Sequence, residues 1–253
     1  AYEIQRCLVG SEMCIRDRLR SEQCFFGVKI LNNNFKVIKL SKRFWILVIL
    51  SFLILGTVVM VIHLSSKPTK ERPETDNVMG VPVTYDYIPE ESGGRPGIRR
   101  KIRYVVIHET ANHREGANAK AHSLYLQDGG DGSTSWHYTV DDHEIYHHVP
   151  DSEVAWHAGD KLKNPGGNLN GIGIELCVND DGDFEKTFDN GARLTAFLLN
   201  EYSLGIEDVK QHYDFNGKNC PMTIRETERW QEFLTLTEKY LYELQNVNET
   251  QSQ

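Results

Sequence analysis

The chain has 253 residues, of which 28 are Lys or Arg and 36 are Asp or Glu, so its formal net charge is −8. A general nucleic-acid binder needs a surplus of cations to neutralise phosphates, and this charge therefore argues against nucleic acid as a partner. One quarter of the residues are charged and 40% are hydrophobic, a composition that is ordinary for a globular protein and excludes a disordered or collagen-like chain.

The first eighteen residues show no apolar period that would form a helix or strand face. The stretch from Cys7 to Arg18, CLVGSEMCIRDR, resembles the translation of a transposon-end adapter used to prepare sequencing libraries. We therefore interpret residues 1–18 as an artefact and set them aside. A genuine cytoplasmic tail is the alternative, and resequencing of the locus would reveal it. Residues 19–43 are interpreted as a basic cytoplasmic segment.

A run of 21 residues from Phe44 to Leu64 carries no formal charge if His63 is neutral. At about 1.5 Å per residue a helix of this length spans roughly 31 Å, close to the thickness of a bilayer core. We predict one transmembrane helix over 44–64. Basic residues are more frequent before it than after it, which predicts a cytoplasmic N-terminus and an exported C-terminal part. A cleaved signal peptide is the alternative, although no A-x-A-like site follows the run.

Five prolines lie among Lys, Glu, Ser and Gly between residues 65 and 97. This composition resists helix formation and is typical of a linker, which we predict over 65–97. Residues 67–253 include 19 basic and 32 acidic side chains, so the exported part is predicted to be acidic.

Residues 98–245 have the pattern of one compact α/β domain, followed by a tail at 246–253. Apolar runs predict buried strands at KIRYVVIH and GIGIELCV, a hairpin at HYTVDD and EIYHHVP, and a short last strand at IEDVKQH. Apolar spacing predicts helices over 118–127, 187–203 and 223–244. Thr223 is expected to be the N-cap of the last helix, with Glu226 as its capping-box partner.

Nine of the ten histidines lie between His108 and His212. Both of these residues end predicted strands, at the rim where ligands tend to gather in α/β sheets. Cys220 follows His212 by eight residues, and two imidazoles with one thiolate form a ligand set that zinc accepts. By spacing alone, however, a histidine at a strand end is more often a hydrogen-bonded surface residue.

The segments VVIHET, SWHYTVDDHEIYHHVP, AWHAGD, GIGIELC and QHYDFNGKNCP occur in this order between about residues 101 and 240. In order and spacing they resemble the zinc-dependent N-acetylmuramoyl-L-alanine amidases, a family related to phage lysozyme-type amidases and peptidoglycan-recognition proteins. The autolysin and prophage-endolysin branch is the most similar. The resemblance implies a single mixed β-sheet flanked by helices. It also implies that zinc-activated water cleaves the amide between the lactyl group of N-acetylmuramic acid and L-alanine of the stem peptide in peptidoglycan.

Carried over by position, the resemblance implies one Zn²⁺ ion per chain with His108, His212 and Cys220 as ligands. It implies that Glu175 is the general acid/base, which passes the proton of the attacking water to the leaving amine. Lys218 would stabilise the oxyanion together with zinc. Without the resemblance, Glu175 could simply pair with a cation, and Lys218 could be a solvated loop lysine.

Three further residues are expected to bind the substrate, namely Trp136, Trp156 and His157. Trp156 could stack on a sugar or peptide face, and His157 could hydrogen-bond a substrate carbonyl. Trp136 stands where the phage lysozyme-type branch has a tyrosine, and Tyr138 follows on the same strand face, so no catalytic tyrosine is assigned. The other histidines of this region are expected to alternate along a half-exposed hairpin: His137, His143, His147 and His148.

Two other functions stay open. A non-catalytic peptidoglycan-binding module is disfavoured because its relatives lack the ligating cysteine, whereas Cys220 is present. A Cys-His peptidase would use Cys220 as nucleophile and His212 as base, but Pro221 follows the cysteine and no helix is predicted to start there. We therefore predict a monomeric amidase domain on a single-pass anchor in the cell membrane, extracellular and facing the cell wall.

Overall fold

The structure, a computed structural model, describes residues 41–65, 67–90 and 92–251. The adapter interpretation of residues 1–18 lies outside the described residues, and so do most of the segment 19–43 and the last two residues of the tail 246–253. The chain is divided into two compact units between Leu53 and Ile54.

The apolar run forms helix α1, Lys42–Ser65. Its large apolar side chains are exposed, as Leu47 and Phe52 illustrate. The hydroxyl groups of Ser51 and Thr57 donate to backbone carbonyls one turn earlier, so neither needs a partner outside the helix. By length and composition alone, the segment Lys42–Val61 could cross a membrane. The predicted helix is therefore present, and its insertion into a membrane stays a prediction.

A seven-stranded sheet forms the centre of the second unit, with the strand order β1-β2-β5-β4-β6-β3-β7. The pairs β2–β5, β4–β6, β6–β3 and β3–β7 are parallel, whereas the pairs β1–β2 and β4–β5 are antiparallel. The predicted mixed sheet and the predicted hairpin are confirmed. The strands are β1 Asn77–Val78, β2 Val81–Tyr85, β3 Tyr104–Glu109, β4 Tyr138–Val140, β5 Ile145–His147, β6 Gly171–Leu176 and β7 Val209–Gln211.

Six helices accompany the sheet. The first begins where the sequence predicts, because the side chain of Asn118 accepts a hydrogen bond from the backbone N–H of Ala121. The helices are α2 Ala119–Gln127, α3 Gly167–Asn170, α4 Phe184–Tyr202, α5 Tyr213–Asn216, α6 Met222–Glu226 and α7 Trp230–Gln251.

The central strands separate the core from the functional face. Side chains alternate along a strand, so β3 and β6 each present two faces. On one face Val105, Ile107 and Ile174 belong to the main hydrophobic core, which α4 and α7 complete. On the other face His108 and Glu175 are register partners on neighbouring strands. The parallel pairing therefore brings two of the predicted site residues together.

The linker predicted over 65–97 is wrong for much of its length. Strand β2 pairs with β5, and Val78, Val81 and Ile88 are buried. The side chain of Arg72 is also buried and lies 3.1 Å from a carboxylate oxygen of Asp151. The proline content suggested a linker, and the alternation of buried and exposed residues in VPVTY was too short to outweigh that content.

The start predicted for the last helix is also wrong. Helices α6 and α7 are separate, and the backbone N–H groups of Thr223 and Ile224 donate to the carboxylate of Glu109 at 2.8 and 3.0 Å. Glu226, the expected capping partner, instead accepts a hydrogen bond from the side chain of Asn219. A carboxylate from β3 thus caps α6, and no local pattern could have indicated a partner more than a hundred residues away.

Candidate metal centre

The three predicted ligands converge at the carboxyl ends of β3 and β7. Ile107 and Gln211 are register partners on these parallel strands, so His108 and His212, the next residues, emerge at the same edge. Their Nδ1 atoms are 3.0 Å apart, and the Sγ atom of Cys220 lies 3.9 Å from Nδ1 of His108. The donor atoms of His108, His212 and Cys220, which we call the metal centre, all lie within 4.8 Å of one another.

The chemistry of this donor set fits zinc. All three residues are buried. Burial, with a smaller contribution from Lys218, lowers the pKa of His212 to about 4. Burial, with smaller contributions from His157, His212 and Lys218, lowers the pKa of His108 well below its ordinary value. Both imidazoles are therefore neutral at physiological pH and keep a lone pair for a metal. Catalytic zinc sites typically use three protein ligands drawn from nitrogen, sulfur and carboxylate oxygen, as this set provides.

Glu175 is the carboxylate beside the metal centre. Its Oε1 atom lies 3.9 Å from Nδ1 of His108, and its side chain is only 14% exposed. Its Oε2 atom is buried and has no hydrogen-bond partner among the described residues. Burial raises the pKa of Glu175 to about 8, although the charge of Lys218 acts in the opposite direction. A carboxyl group of this kind can exchange a proton near neutral pH.

A cavity of about 710 Å³ opens beside the metal centre. Trp156, His157, His212 and Lys218 line it, so it contains one metal ligand and three of the other predicted site residues. Lys218 is exposed on the loop between α5 and Cys220. The positive charge of Lys218 contributes to the lowered pKa values of His108 and His212. A substrate in this cavity would meet a cation and a metal ligand together.

The ring of His157 does not offer a free nitrogen to a substrate, contrary to the sequence-based expectation. Its Nδ1 atom lies 3.0 Å from Nε2 of His108, and its Nε2 atom lies 3.0 Å from the carbonyl oxygen of Gly171. A carbonyl can only accept, so Nε2 of His157 carries the proton and Nδ1 accepts one from His108. This arrangement leaves the lone pair of His108 on Nδ1, the atom that faces the other two ligands.

The backbone around His157 is held by residues that the sequence did not single out. The side-chain oxygen of Asn168 accepts hydrogen bonds from the backbone N–H groups of His157 and Ala158, at 2.8 and 2.6 Å. A Cβ atom at Gly173 would lie 2.7 Å from the imidazole of His157, so only glycine leaves room for this ring. The sequence signal that could have indicated Asn168 is the Gly- and Asn-rich loop that precedes β6.

Trp136 is separated from the other predicted substrate residues. It is buried, and its indole N–H donates to the hydroxyl of Thr139 at 2.7 Å. It lines a smaller cavity of about 300 Å³ together with residues of α2, such as His122 and Tyr125. A substrate could reach both Trp136 and Trp156 only by occupying both cavities.

The expectation of a half-exposed histidine hairpin is wrong. His137, His147 and His148 are fully or almost fully buried, and only His143 is exposed. The reason is that the hairpin β4–β5 lies inside the sheet, between β6 and β2. The sequence places residues 81–85 in the predicted linker, so the prediction lacks β2, the strand that pairs with β5. Within the described residues, these histidines form no further three-donor cluster.

Residues 98–223 match the family model described as N-acetylmuramoyl-L-alanine amidase. The chain is 43% identical over 153 residues to the amidase XlyA of Bacillus subtilis (strain 168), a match that covers 60% of this chain and 50% of XlyA. It is 41% identical over 154 residues to the amidase CwlH of the same organism, covering 61% of this chain and 60% of CwlH. The chain thus matches between half and three fifths of the length of these curated relatives.

Solved structures agree with these matches. The catalytic domain of XlyA superposes with a TM-score of 0.59 at 41% identity, covering 62% of this chain and 99% of that domain. The structure of PlyL superposes with a TM-score of 0.55 at 26% identity, covering 63% of this chain and 97% of PlyL.

Proposed function

The chain belongs to the N-acetylmuramoyl-L-alanine amidase family, and on that premise we propose that it is a membrane-anchored, zinc-dependent peptidoglycan amidase. The bond cleaved would be the amide between the lactyl group of N-acetylmuramic acid and L-alanine of the stem peptide. The observation that carries the proposal is the convergence of His108, His212 and Cys220 within 4.8 Å, beside an unpaired carboxylate and an open cavity.

His108, His212 and Cys220 would hold the zinc ion. When bound there, zinc supplies a Lewis acid that polarises the lactyl carbonyl and acidifies a water molecule. His157 would keep the ring of His108 in the required tautomer, since its Nδ1 atom accepts the proton that His108 carries on Nε2. We assign His157 to this positioning role in place of the substrate contact expected from the sequence.

Glu175 would move the proton. A buried carboxylate oxygen without a partner is costly, and it needs a compensating function or ligand. Oε2 of Glu175 is such an atom, and Oε1 lies beside the metal centre. From this position the carboxylate can take the proton of a water molecule and give it to the nitrogen of the departing stem peptide.

Lys218 would hold the oxyanion that develops on the attacked carbonyl. Its side chain lines the cavity, and its positive charge contributes to the lowered pKa values of His108 and His212. A cation fixed at the point where negative charge develops stabilises the transition state more than the ground state. Trp156, in the wall of the same cavity, offers an aromatic face for a sugar or peptide group.

Thiol catalysis by Cys220 fits the geometry less well. Cys220 is buried and is not part of the cavity lining, and burial raises the pKa of its thiol to about 12. A catalytic cysteine needs the opposite, a lowered pKa and access to the substrate.

The anchoring part of the proposal is supported by α1. The helix is long enough to cross a bilayer, and its side-chain hydroxyls are satisfied internally. We propose a single span at residues 44–64 in the cell membrane, with the N-terminus in the cytoplasm and the amidase domain outside, facing the cell wall.

Digestion of muropeptides by the full chain in detergent tests the enzymatic proposal. The chain is stripped of metal with a chelator, reloaded with zinc and incubated with muropeptides of known structure, and the products are identified by mass spectrometry. We expect one zinc per chain and release of free stem peptide by the reloaded protein only. Binding of muropeptide without release would indicate a recognition module, and cleavage that persists after chelation would indicate thiol catalysis.

A further inference from the structure

A group of cations lies at the edge of the sheet opposite the metal centre. Of the 19 basic residues after position 66, six lie in the two short stretches 67–70 and 99–103, which contain no Asp or Glu. One of them, Arg100, is buried. The other five, which we call the basic foot, are exposed or half-buried: Lys67, Lys70, Arg99, Lys101 and Arg103.

Backbone hydrogen bonds join the two stretches. The backbone N–H of Thr69 donates to the carbonyl of Arg100 at 2.8 Å, and the hydroxyl of Thr69 accepts from the backbone N–H of Ile102 at 2.9 Å. The cations on either side of Thr69 are therefore neighbours of those on either side of Arg100. The basic foot is one surface, although its parts are about thirty residues apart in sequence.

Nearby acidic groups compensate only part of this charge. Glu153 lies 3.8 Å from Arg99 but is bound more closely by Arg95, at 2.8 Å. Asp208 shares a surface cavity of about 270 Å³ with Lys101 and Arg103. The carboxylate of Glu71 is engaged by two backbone N–H groups at 2.7 and 3.1 Å. Five cations thus lie close to three carboxylates, within a segment whose total charge is negative.

The basic foot follows α1 closely in the chain and lies at the start of β3, and these two facts suggest what it contacts. Lys67 follows Ser65, the last residue of α1, by two positions, a distance of about 7 Å at most for an extended chain. Arg103 immediately precedes β3, and His108 lies near the other end of this strand. At about 3.3 Å per residue, the metal centre is roughly 16 Å from the basic foot along the strand.

We propose that the basic foot binds the anionic phospholipid headgroups of the membrane that α1 enters, an inference that rests on the anchoring part of the proposed function. Lys and Arg side chains are attracted to anionic headgroups within about one Debye length of the surface, and the short connection to α1 holds them there. Binding in this way directs the metal-centre edge away from the bilayer. The amidase then acts on peptidoglycan strands above the membrane surface. An anionic wall polymer is the less suitable partner, because the basic foot lies at the membrane end of the chain.

Lysine labelling of the full chain in vesicles tests this proposal. One set of vesicles is pure phosphatidylcholine, and the other contains about one third phosphatidylglycerol, an anionic lipid. A membrane-impermeant amine-acylating reagent is added, and the rate of modification is read at each lysine by mass spectrometry. Lys186 and Lys239 are internal controls, because their side chains are 64% and 62% exposed on α4 and α7.

We expect phosphatidylglycerol to slow the modification of Lys67, Lys70 and Lys101 by about fivefold and to leave the two controls unchanged. NaCl at about 0.5 M should abolish this protection, because salt screens surface charges. The combined change Arg99→Gln and Arg103→Gln should weaken it at all three lysines. The matched change Arg114→Gln, at an exposed arginine outside the basic foot, should not.

Three results would overturn the proposal. Equal protection in both kinds of vesicle would mean that anchoring alone shields these lysines. If neither kind of vesicle slowed the modification of Lys67, Lys70 and Lys101 relative to that of the control lysines, the basic foot would not contact the bilayer. Protection that appears only on addition of a soluble polyglycerol phosphate would assign the surface to a wall polymer. Failure of the chain to float with either vesicle would instead refute the anchoring proposed above.

Discussion

Two polar clusters lie in the same domain, and they differ in how completely the carboxylate oxygens within them are paired. In the first, Asp151 accepts hydrogen bonds from Arg72 at 3.1 Å and from the hydroxyls of Tyr138 and Tyr202, both at 2.8 Å. In the second, the metal centre, the two imidazole Nδ1 atoms lie within hydrogen-bond distance at 3.0 Å, whereas one carboxylate oxygen of the adjacent Glu175 has no partner.

The difference distinguishes a structural role from the catalytic role proposed for Glu175. Buried polar groups that only stabilise a fold are expected to be fully hydrogen-bonded, because each unpaired group is costly. The Asp151 cluster meets this expectation on the carboxylate side, and it attaches the chain that follows α1 to the domain. Beside the metal centre, Glu175 keeps one carboxylate oxygen available, as moving a proton would require.

The same contrast appears between two carboxylates near the metal centre. Both oxygens of Glu109 accept backbone N–H groups at the start of α6. Glu175, on the neighbouring strand, has one oxygen without a partner. Glutamates of similar burial thus have different roles, and their hydrogen-bond partners distinguish them.

The largest effect is expected from Glu175→Gln, which sharpens this contrast. The amide keeps the size of the side chain but cannot accept and return a proton. Turnover should fall by about a thousandfold, with the zinc content and the free energy of unfolding little changed. Muropeptide cleavage rates and metal analysis of the same sample measure both quantities.

Glu109→Gln is the matched control for Glu175→Gln. It weakens the cap of α6, so it should lower the free energy of unfolding by about 1 kcal/mol while most of the turnover remains. If Glu109→Gln abolished turnover and Glu175→Gln did not, the two carboxylates would be assigned the wrong way round.

The next effect concerns Asp151→Asn, which removes the fully paired carboxylate. Removing one partner of a buried ion pair leaves Arg72 as an uncompensated buried charge, which should lower the free energy of unfolding by about 3–5 kcal/mol. Denaturant titration of the variant measures this loss. Asp189→Asn is the control, because the Asp189–Arg193 pair is about one-third exposed and should cost less than about 1 kcal/mol.

The stabilisation from Asp151 should also depend on pH in a defined direction. Burial alone would raise its pKa, but the neighbouring His147 and Arg72 together hold it below the ordinary value. A lowered pKa in the folded state stabilises the protein above the ordinary pKa of aspartate, and this contribution is lost as the pH falls through the lowered value. The difference in stability between wild type and Asp151→Asn should therefore be constant near neutral pH and shrink only in strong acid.

The smallest of these effects is expected from His157→Leu. The variant loses the acceptor that orients His108, so its zinc affinity should fall by about 10–100-fold, as measured by competition with a chromophoric chelator. At saturating zinc, turnover should largely return. If the zinc affinity were unchanged and the KM for muropeptide were raised, His157 would be assigned to the substrate contact that the sequence suggested.

Much of the fold was readable from local patterns. The apolar run of α1, the buried strands β3 and β6 and the helix α2 each depend on residues close together in the chain. The ligand set could be proposed because strand-end histidines and a following cysteine occur in recognisable segments. Strands β1 and β2 escaped prediction, since β2 is short and includes Pro82, and since β5, the partner of β2, lies some sixty residues further on.

The sequence by itself determined which residues are candidates for the chemistry and which segment is apolar enough to enter a membrane, because both depend on residue type and short spacing. The tertiary structure alone decided the partners of those residues. In the folded domain Glu109 caps the start of α6, and Asp151 forms an ion pair with Arg72. His157 is hydrogen-bonded to His108, and one oxygen of Glu175 has no partner. Hydrogen bonds join atoms that are near in space, and the parallel sheet brings together residues that local patterns cannot relate.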